Sequence, residues 1–209
     1  MKYKNIFVLC SGRCGSVSLA HALSHAENFS VGHESRMATL GPERLHYPDA
    51  HIEIDNRLAF MLGPLHARFG DDPLYVHLLR DPTACAASYA KRFRPGLLMF
   101  AWARGIHVGL EDELDLEVVA RSLVDTMNEN IRLFLRERPH TLTVQVEQFP
   151  RDLTTLWEII GAEGDLAAAL ESLASAHNQG APEVPEALER DFNDRFGQAP
   201  GQGLAGPRY

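Results

Sequence analysis

The chain has 209 residues, 45% of them hydrophobic and 23% charged, which suits one α/β domain with a full core and leaves too little length for two ordinary domains. A formal net charge of −8 disfavours the broad phosphate-tracking surface that nucleic-acid binders need, so no nucleic-acid partner is expected. Cys10, Cys14 and Cys85 are an odd set without CxxC spacing, which suggests neither a disulfide framework nor a zinc site and fits a reducing compartment.

The run Ile6 to Cys10 is continuously apolar and partly β-branched, as in a strand buried on both faces. It is too short for a signal-peptide core and far short of the ~20 residues that span a bilayer, so no membrane span is expected and the chain reads as cytoplasmic. Ser11-Gly12 breaks the strand. The spacing of Leu19, Ala20, Ala22, Leu23 and Ala26 then predicts an amphipathic helix from about Gly15 to Glu27.

Short strands are predicted at Phe29 to Gly32 and His51 to Ile54, the latter followed by a helical pattern through Leu58, Met61, Leu62, Leu65 and Phe69. Leu74 to Leu79 is a clearer buried strand, and Pro82 suits the first turn of a helix carrying Ala86, Tyr89 and Ala90. Leu116, Val119, Leu123, Met127, Ile131 and Phe134 trace one stripe of a long helix, with Pro139 just beyond it. Leu142 to Val146 is a further strand, and a further helix runs from Pro150 through Trp157 and Ile160. This alternation implies a three-layer α/β sandwich with a mostly parallel central sheet. A single domain over 1–209 is expected, with residues 181–209 forming a Pro/Gly-rich tail or lid and a short helix near Pro185 to Phe196.

Two segments carry chemistry. Ser11-Gly12-Arg13-Cys14-Gly15-Ser16-Val17-Ser18 lies between the first strand and first helix, where free backbone N–H groups and the positive helix end converge on an anion. Gly12 and Gly15 allow tight turns, Arg13 adds a permanent charge and a donor fork, and Ser16 and Ser18 add hydroxyls. The Walker pattern GxxxxGK[ST] is absent, lysine included, which weighs against a P-loop kinase reading. In the second segment, Leu78-Leu79-Arg80-Asp81-Pro82, Arg80 emerges at the carboxyl end of a strand, where ligands bind in open α/β sheets, and Ser88 follows in the next helix. Together Arg80 and Ser88 suit one further phosphate.

The pair of segments resembles the family of sulfotransferases dependent on 3′-phosphoadenosine 5′-phosphosulfate (PAPS). SGRCGSVSL is similar to that family's 5′-phosphosulfate loop, and LLRDPTACAASY to its 3′-phosphate motif, with arginine and serine separated by seven residues. The resemblance covers roughly residues 5–35 and 74–92, with a looser echo at Val144 to Phe149. It implies a P-loop NTPase-like fold, that Arg13 through Ser18 hold the phosphosulfate and that Arg80 and Ser88 hold the 3′-phosphate. Cys14 replaces the usual loop serine, Val17 stands at a commonly hydroxyl position, and Ser18 stands where cytosolic members carry an adenine-stacking tryptophan. These departures point toward a bacterial or carbohydrate-type branch, and a small-molecule or carbohydrate acceptor is expected. The C-terminal RKGxxGDW-like segment has no counterpart here.

His33 and Glu34 follow the second predicted strand on the same sheet edge, where a carboxylate base, Glu34, is expected to take the acceptor's proton, with His33 as the other candidate and a surface or structural pair as the bland alternative. Glu34 also matches the position of a glutamate base in the resembling carbohydrate enzymes. Sulfuryl transfer needs in-line alignment and stabilisation of charge on the leaving oxygen, which Arg13 and the loop amides can supply without a metal. The histidines lack HExxH or comparable spacing. Glu53 and Asp55 could face an acceptor pocket or cap a helix starting near Asn56, and Met99, Phe100 and Trp102 could line a pocket or pack in the core. A non-catalytic nucleotide-binding module is the alternative outside enzymes.

Overall fold

The computed structural model describes residues 2–91, 97–107, 110 and 115–176. The predicted tail and its short helix lie outside these residues.

Five parallel strands form one sheet in the order β2-β3-β1-β4-β5: β1 Asn5–Cys10, β2 Ser30–His33, β3 His51–Ile54, β4 Leu74–Leu79 and β5 Thr141–Gln145. All six residues of β1 are buried, as its unbroken apolar run requires of a central strand covered on both faces. The helices are α1 Ser16–Leu23, α2 Leu62–Phe69, α3 Pro82–Ala90, α4 Leu97–Ala101, α5 Leu116–Leu135, α6 Phe149–Ile160 and α7 Leu166–Ala176.

From β1 the chain crosses outward to β2, then returns past β1 to β4. Right-handed crossovers running in opposite directions put their helices on opposite faces, so α1 lies on one face and α2, α3 and α5 on the other. The packing follows: α5 lies on α3 and against β1 and β4, while α7 joins α1 to α6. The expected three-layer α/β sandwich is the observed fold. Leu123, Met127 and Ile131 are fully buried along the inner stripe of α5.

Several boundaries differ from expectation for identifiable reasons. Helix α1 stops at Leu23 because the chain is drawn into an antiparallel bridge between Ala26 and Gly164, with the Glu27 N–H donating to the Glu163 carbonyl at 2.7 Å. The second strand is shifted one residue, to Ser30–His33, so that His33 pairs beside Ile54. The pattern from Leu58 to Phe69 divides into a 3₁₀ helix, Asn56–Phe60, and α2. Its tight first turn is set by Asp55, whose side chain accepts from the Arg57 N–H at 2.7 Å. β5 begins one residue early, and Val146 already belongs to a 3₁₀ turn. No helix among the described residues is long and apolar enough to cross a membrane.

His77, in the middle of β4, is 4% exposed, and its Nε2–H donates to Asn128 Oδ1 of α5 at 3.2 Å. Burial lowers its pKa from the ordinary imidazole value. A group depressed in this way contributes stability that is present above the unfolded pKa and lost as pH falls through the native one. The urea midpoint should therefore fall between about pH 7 and about pH 5, and His77→Gln should flatten that decline. An unchanged slope in the variant would contradict a neutral buried His77.

Candidate functional site

Because the strands are parallel, their carboxyl ends meet along one edge, and there the residues singled out in the sequence gather. The loop after β1 contains three left-handed residues: Gly12 at φ 79°, Arg13 at φ 57° and Gly15 at φ 79°. Gly12 must lack a side chain, since a Cβ would collide with the Tyr89 hydroxyl and the Asn56 amide. A left-handed conformation costs a non-glycine residue about 1–2 kcal/mol, and Arg13 bears that cost where its surroundings fix it. Arg80 Nη1 donates to the Arg13 carbonyl at 3.0 Å, the Cys85 thiol approaches the same oxygen at 3.7 Å, and Arg13 Nε donates to Ser88 Oγ at 3.1 Å. Two residues earlier, the Tyr89 hydroxyl donates to the Ser11 carbonyl at 2.6 Å. Helix α3 and the Arg80 side chain thus hold the loop in shape.

Gly15 is the N-cap of α1, and no side chain caps the helix. Intrahelical bonding begins at Leu19 N–H to Gly15 carbonyl, 3.0 Å, so the N–H groups of Ser16, Val17 and Ser18 lack an intrahelical acceptor. These donors, the positive helix end and the neighbouring guanidinium of Arg13 make a cradle for an oxyanion.

The predicted residues contribute in different ways. Ser11 is 2% exposed, with its hydroxyl turned to the Gly12 carbonyl at 3.4 Å. Cys14 is fully buried; hydrogen bonding to Cys10 and burial push its thiol well up, so it is an uncharged core group and only its backbone can face a ligand. Burial likewise pushes Cys85 up to about 11. Val17 is exposed and offers its N–H alone, whereas Ser16 and Ser18 are half-buried. Arg80 and Ser88, also half-buried, meet through Arg13 rather than directly.

His33 and Glu34 diverge. His33 Nε2 lies 3.0 Å from Ser16 Oγ, in contact with the cradle itself. Glu34, at φ 50°, pairs instead with Arg57, which follows β3. Behind them lies buried charge. Asp55 is paired with Arg44, which also donates to the Tyr47 hydroxyl at 2.8 Å. Burial raises the Asp55 carboxyl despite that partner, and although burial opposes the Arg44 charge, Asp55 and Tyr47 outweigh it and hold the guanidinium up. Asp55 therefore caps and braces, and does not face an acceptor. Glu53 is also fully buried, among Ser35 and His51. Met99 and Trp102 are core residues, and Phe100 is half-buried.

Tyr89, Asn56, Arg57 and Ser35 were not expected at the site. A signal existed for two of them: Asn56 and Arg57 directly follow a predicted strand, so they emerge on the edge that holds the loop. Among the described residues no group of three or more His, Cys, Asp or Glu side chains is placed to hold a metal ion.

Mouse sulfotransferase SULT7A1 complexed with PAP superposes on the chain with a TM-score of 0.55 at 12% identity, covering 85% of this chain and 68% of the mouse one. The likeness is one of fold. Shikimate kinase from Acinetobacter baumannii, in complex with shikimate, gives a TM-score of 0.47 at 11% identity over 76% of this chain and 94% of its own. No family model matches the sequence, and no curated protein matches it.

The brace on the loop can be tested without a ligand. Tyr89→Phe removes the donor to the buried Ser11 carbonyl and should lower unfolding free energy by about 1–3 kcal/mol in urea titration. Gly12→Ala should cost more, because it combines a collision with a left-handed φ. Wild-type stability in Tyr89→Phe would contradict the brace.

Proposed function

We propose that the chain is a PAPS-dependent sulfotransferase that moves a sulfuryl group to an acceptor hydroxyl or amine. The observation that carries this reading is the placement of Arg13, left-handed at the mouth of an uncapped helix and tied to both Arg80 and Ser88. Two elements that the resemblance assigns to separate phosphates of one nucleotide are thereby joined through one residue. The fold shared with a sulfotransferase described as complexed with PAP supports the same reading.

In the reaction a bond forms from the acceptor oxygen or nitrogen to sulfur, the bridging bond from sulfur to phosphate oxygen breaks, and the acceptor loses a proton. The N–H groups of residues 16–18 and the guanidinium of Arg13 can bind and orient the phosphosulfate and meet charge that develops on the departing oxygen. Arg80 and Ser88 offer a charged and a neutral donor for a 3′-phosphate while keeping their bonds to Arg13, since the Arg80 guanidinium has further N–H groups and the Ser88 hydroxyl, which accepts from Arg13 Nε, retains its own hydrogen. For the proton, His33 is the better placed of the two candidates, because it touches the first residue of the cradle helix while Glu34 is engaged with Arg57.

Calorimetric titration distinguishes this reading from a kinase. PAP should bind without metal and more tightly than AMP, and Arg80→Ala should weaken PAP binding about tenfold or more, since a charge-assisted bond is worth roughly 1.5–3 kcal/mol. Preference for ATP with magnesium, or equal affinity for PAP and AMP, would overturn it.

The proton acceptor separates in a second experiment, transfer of labelled sulfate from PAPS. His33→Asn should lower turnover by about 10²-fold or more with PAP affinity retained, and Glu34→Gln should lower it less. The opposite order would return the role to Glu34.

A further inference from the structure

We propose that the buried Glu53 and the exposed Ser35 form a clamp that positions the His33–Glu34 corner for transfer, a role that rests on the sulfotransferase reading above. Glu53 lies in β3 between Ile52 and Ile54, is 0% exposed, and is a carboxylate where an aliphatic residue would fill the strand at lower cost. Both of its oxygens accept hydrogen bonds. Ser35 N–H donates to Oε1 at 2.8 Å, Ser35 Oγ to Oε2 at 2.6 Å, and His51 Nε2 to Oε2 at 3.0 Å. Because a carboxylate only accepts, the His51 Nε2 hydrogen points at Glu53; on the other side of that imidazole Nδ1 lies 2.8 Å from Ser30 Oγ, which also donates to the Ala50 carbonyl at 3.2 Å.

Two of these bonds come from the residue that directly follows Glu34. The Glu34 N–H itself donates to the Ile54 carbonyl at 3.0 Å, so the corner is pinned to β3 immediately before and after its left-handed residue. Gly32 completes the fit: a Cβ there would press on the Glu53 carboxylate and, at 2.9 Å, on Ser35 Oγ. With both flanks fixed, the His33 ring is delivered to Ser16 Oγ at 3.0 Å and Glu34 to Arg57. A satisfied core network alone has no need to converge on the one turn that carries both candidate proton acceptors.

Ser35 is exposed, so its replacement spares the core. Ser35→Ala removes the hydroxyl donor, and Ser35→Thr restores it. In Ser35→Ala the side-chain ¹⁵N signals of His33 should move, and transfer from PAPS to water should slow about tenfold or more, while PAP affinity stays within about twofold. Ser35→Thr should recover both. Unmoved His33 signals in Ser35→Ala overturn the clamp, and moved signals with an unchanged transfer rate overturn its positioning role. A wild-type protein that neither binds PAP nor turns over PAPS overturns the sulfotransferase reading instead, and the His33 spectrum still decides the clamp.

Discussion

The carbonyl oxygen of Arg13 and its two hydrogen-bonding neighbours are the constraint on which the site depends. Gly12 and Arg13 are left-handed in succession, and at Arg13 that conformation is unfavourable in isolation. It persists because Arg80 reaches across from β4 to the carbonyl while the Arg13 side chain turns back to Ser88 on α3. The same helix supplies Tyr89 to the Ser11 carbonyl. The adjacent parallel strands β1 and β4 place the two segments side by side, so the register of the sheet is what brings residues 67 positions apart into one hydrogen bond.

Charge is handled locally, against the acidic sum of the chain. On the β2–β3 side, two fully buried carboxylates are held by different means: Asp55 by the Arg44 guanidinium and Glu53 by hydroxyl, amide and imidazole donors. An unpaired carboxylate could not remain charged in such places. Each then governs a residue on the ligand edge, since Asp55 caps the turn that begins with Asn56 and Arg57, and Glu53 holds the residue after Glu34. The loop after β1, by contrast, presents backbone donors beside the guanidinium groups of Arg13 and Arg80, whose field acts locally whatever the net charge of the chain.

The fold was legible where burial alone decides the residue. β1 and β4 announce themselves as mainly apolar runs, and α5 as a long stripe, because each is covered by apolar neighbours at nearly every inward position, the mutually bonded His77 and Asn128 excepted. Helix α7 was not anticipated, although Leu166, Ala169, Leu170 and Leu173 repeat with helical spacing, and it proves to pack on α1 and α6. The end of α1 could not be read from periodicity, since it is fixed by pairing with Glu163 and Gly164 far along the chain. Within the site, the loop, Arg80 and Ser88 were visible as chemistry at strand ends. The roles of Glu53, Tyr89 and Arg57 were hidden because a buried carboxylate, a core tyrosine and a surface arginine have no local pattern that names their partner.

The proposed function requires the loop from Gly12 to Ser18 to act as an anion cradle for a 3′-phosphorylated nucleotide. Backbone amide NMR during titration with PAP in the absence of metal tests it most directly. The account predicts that the largest shifts fall on the amides of Gly12 to Ser18, together with the side chains of Arg13 and Arg80. Shifts confined to other parts of the chain, or none at saturating PAP, would contradict it.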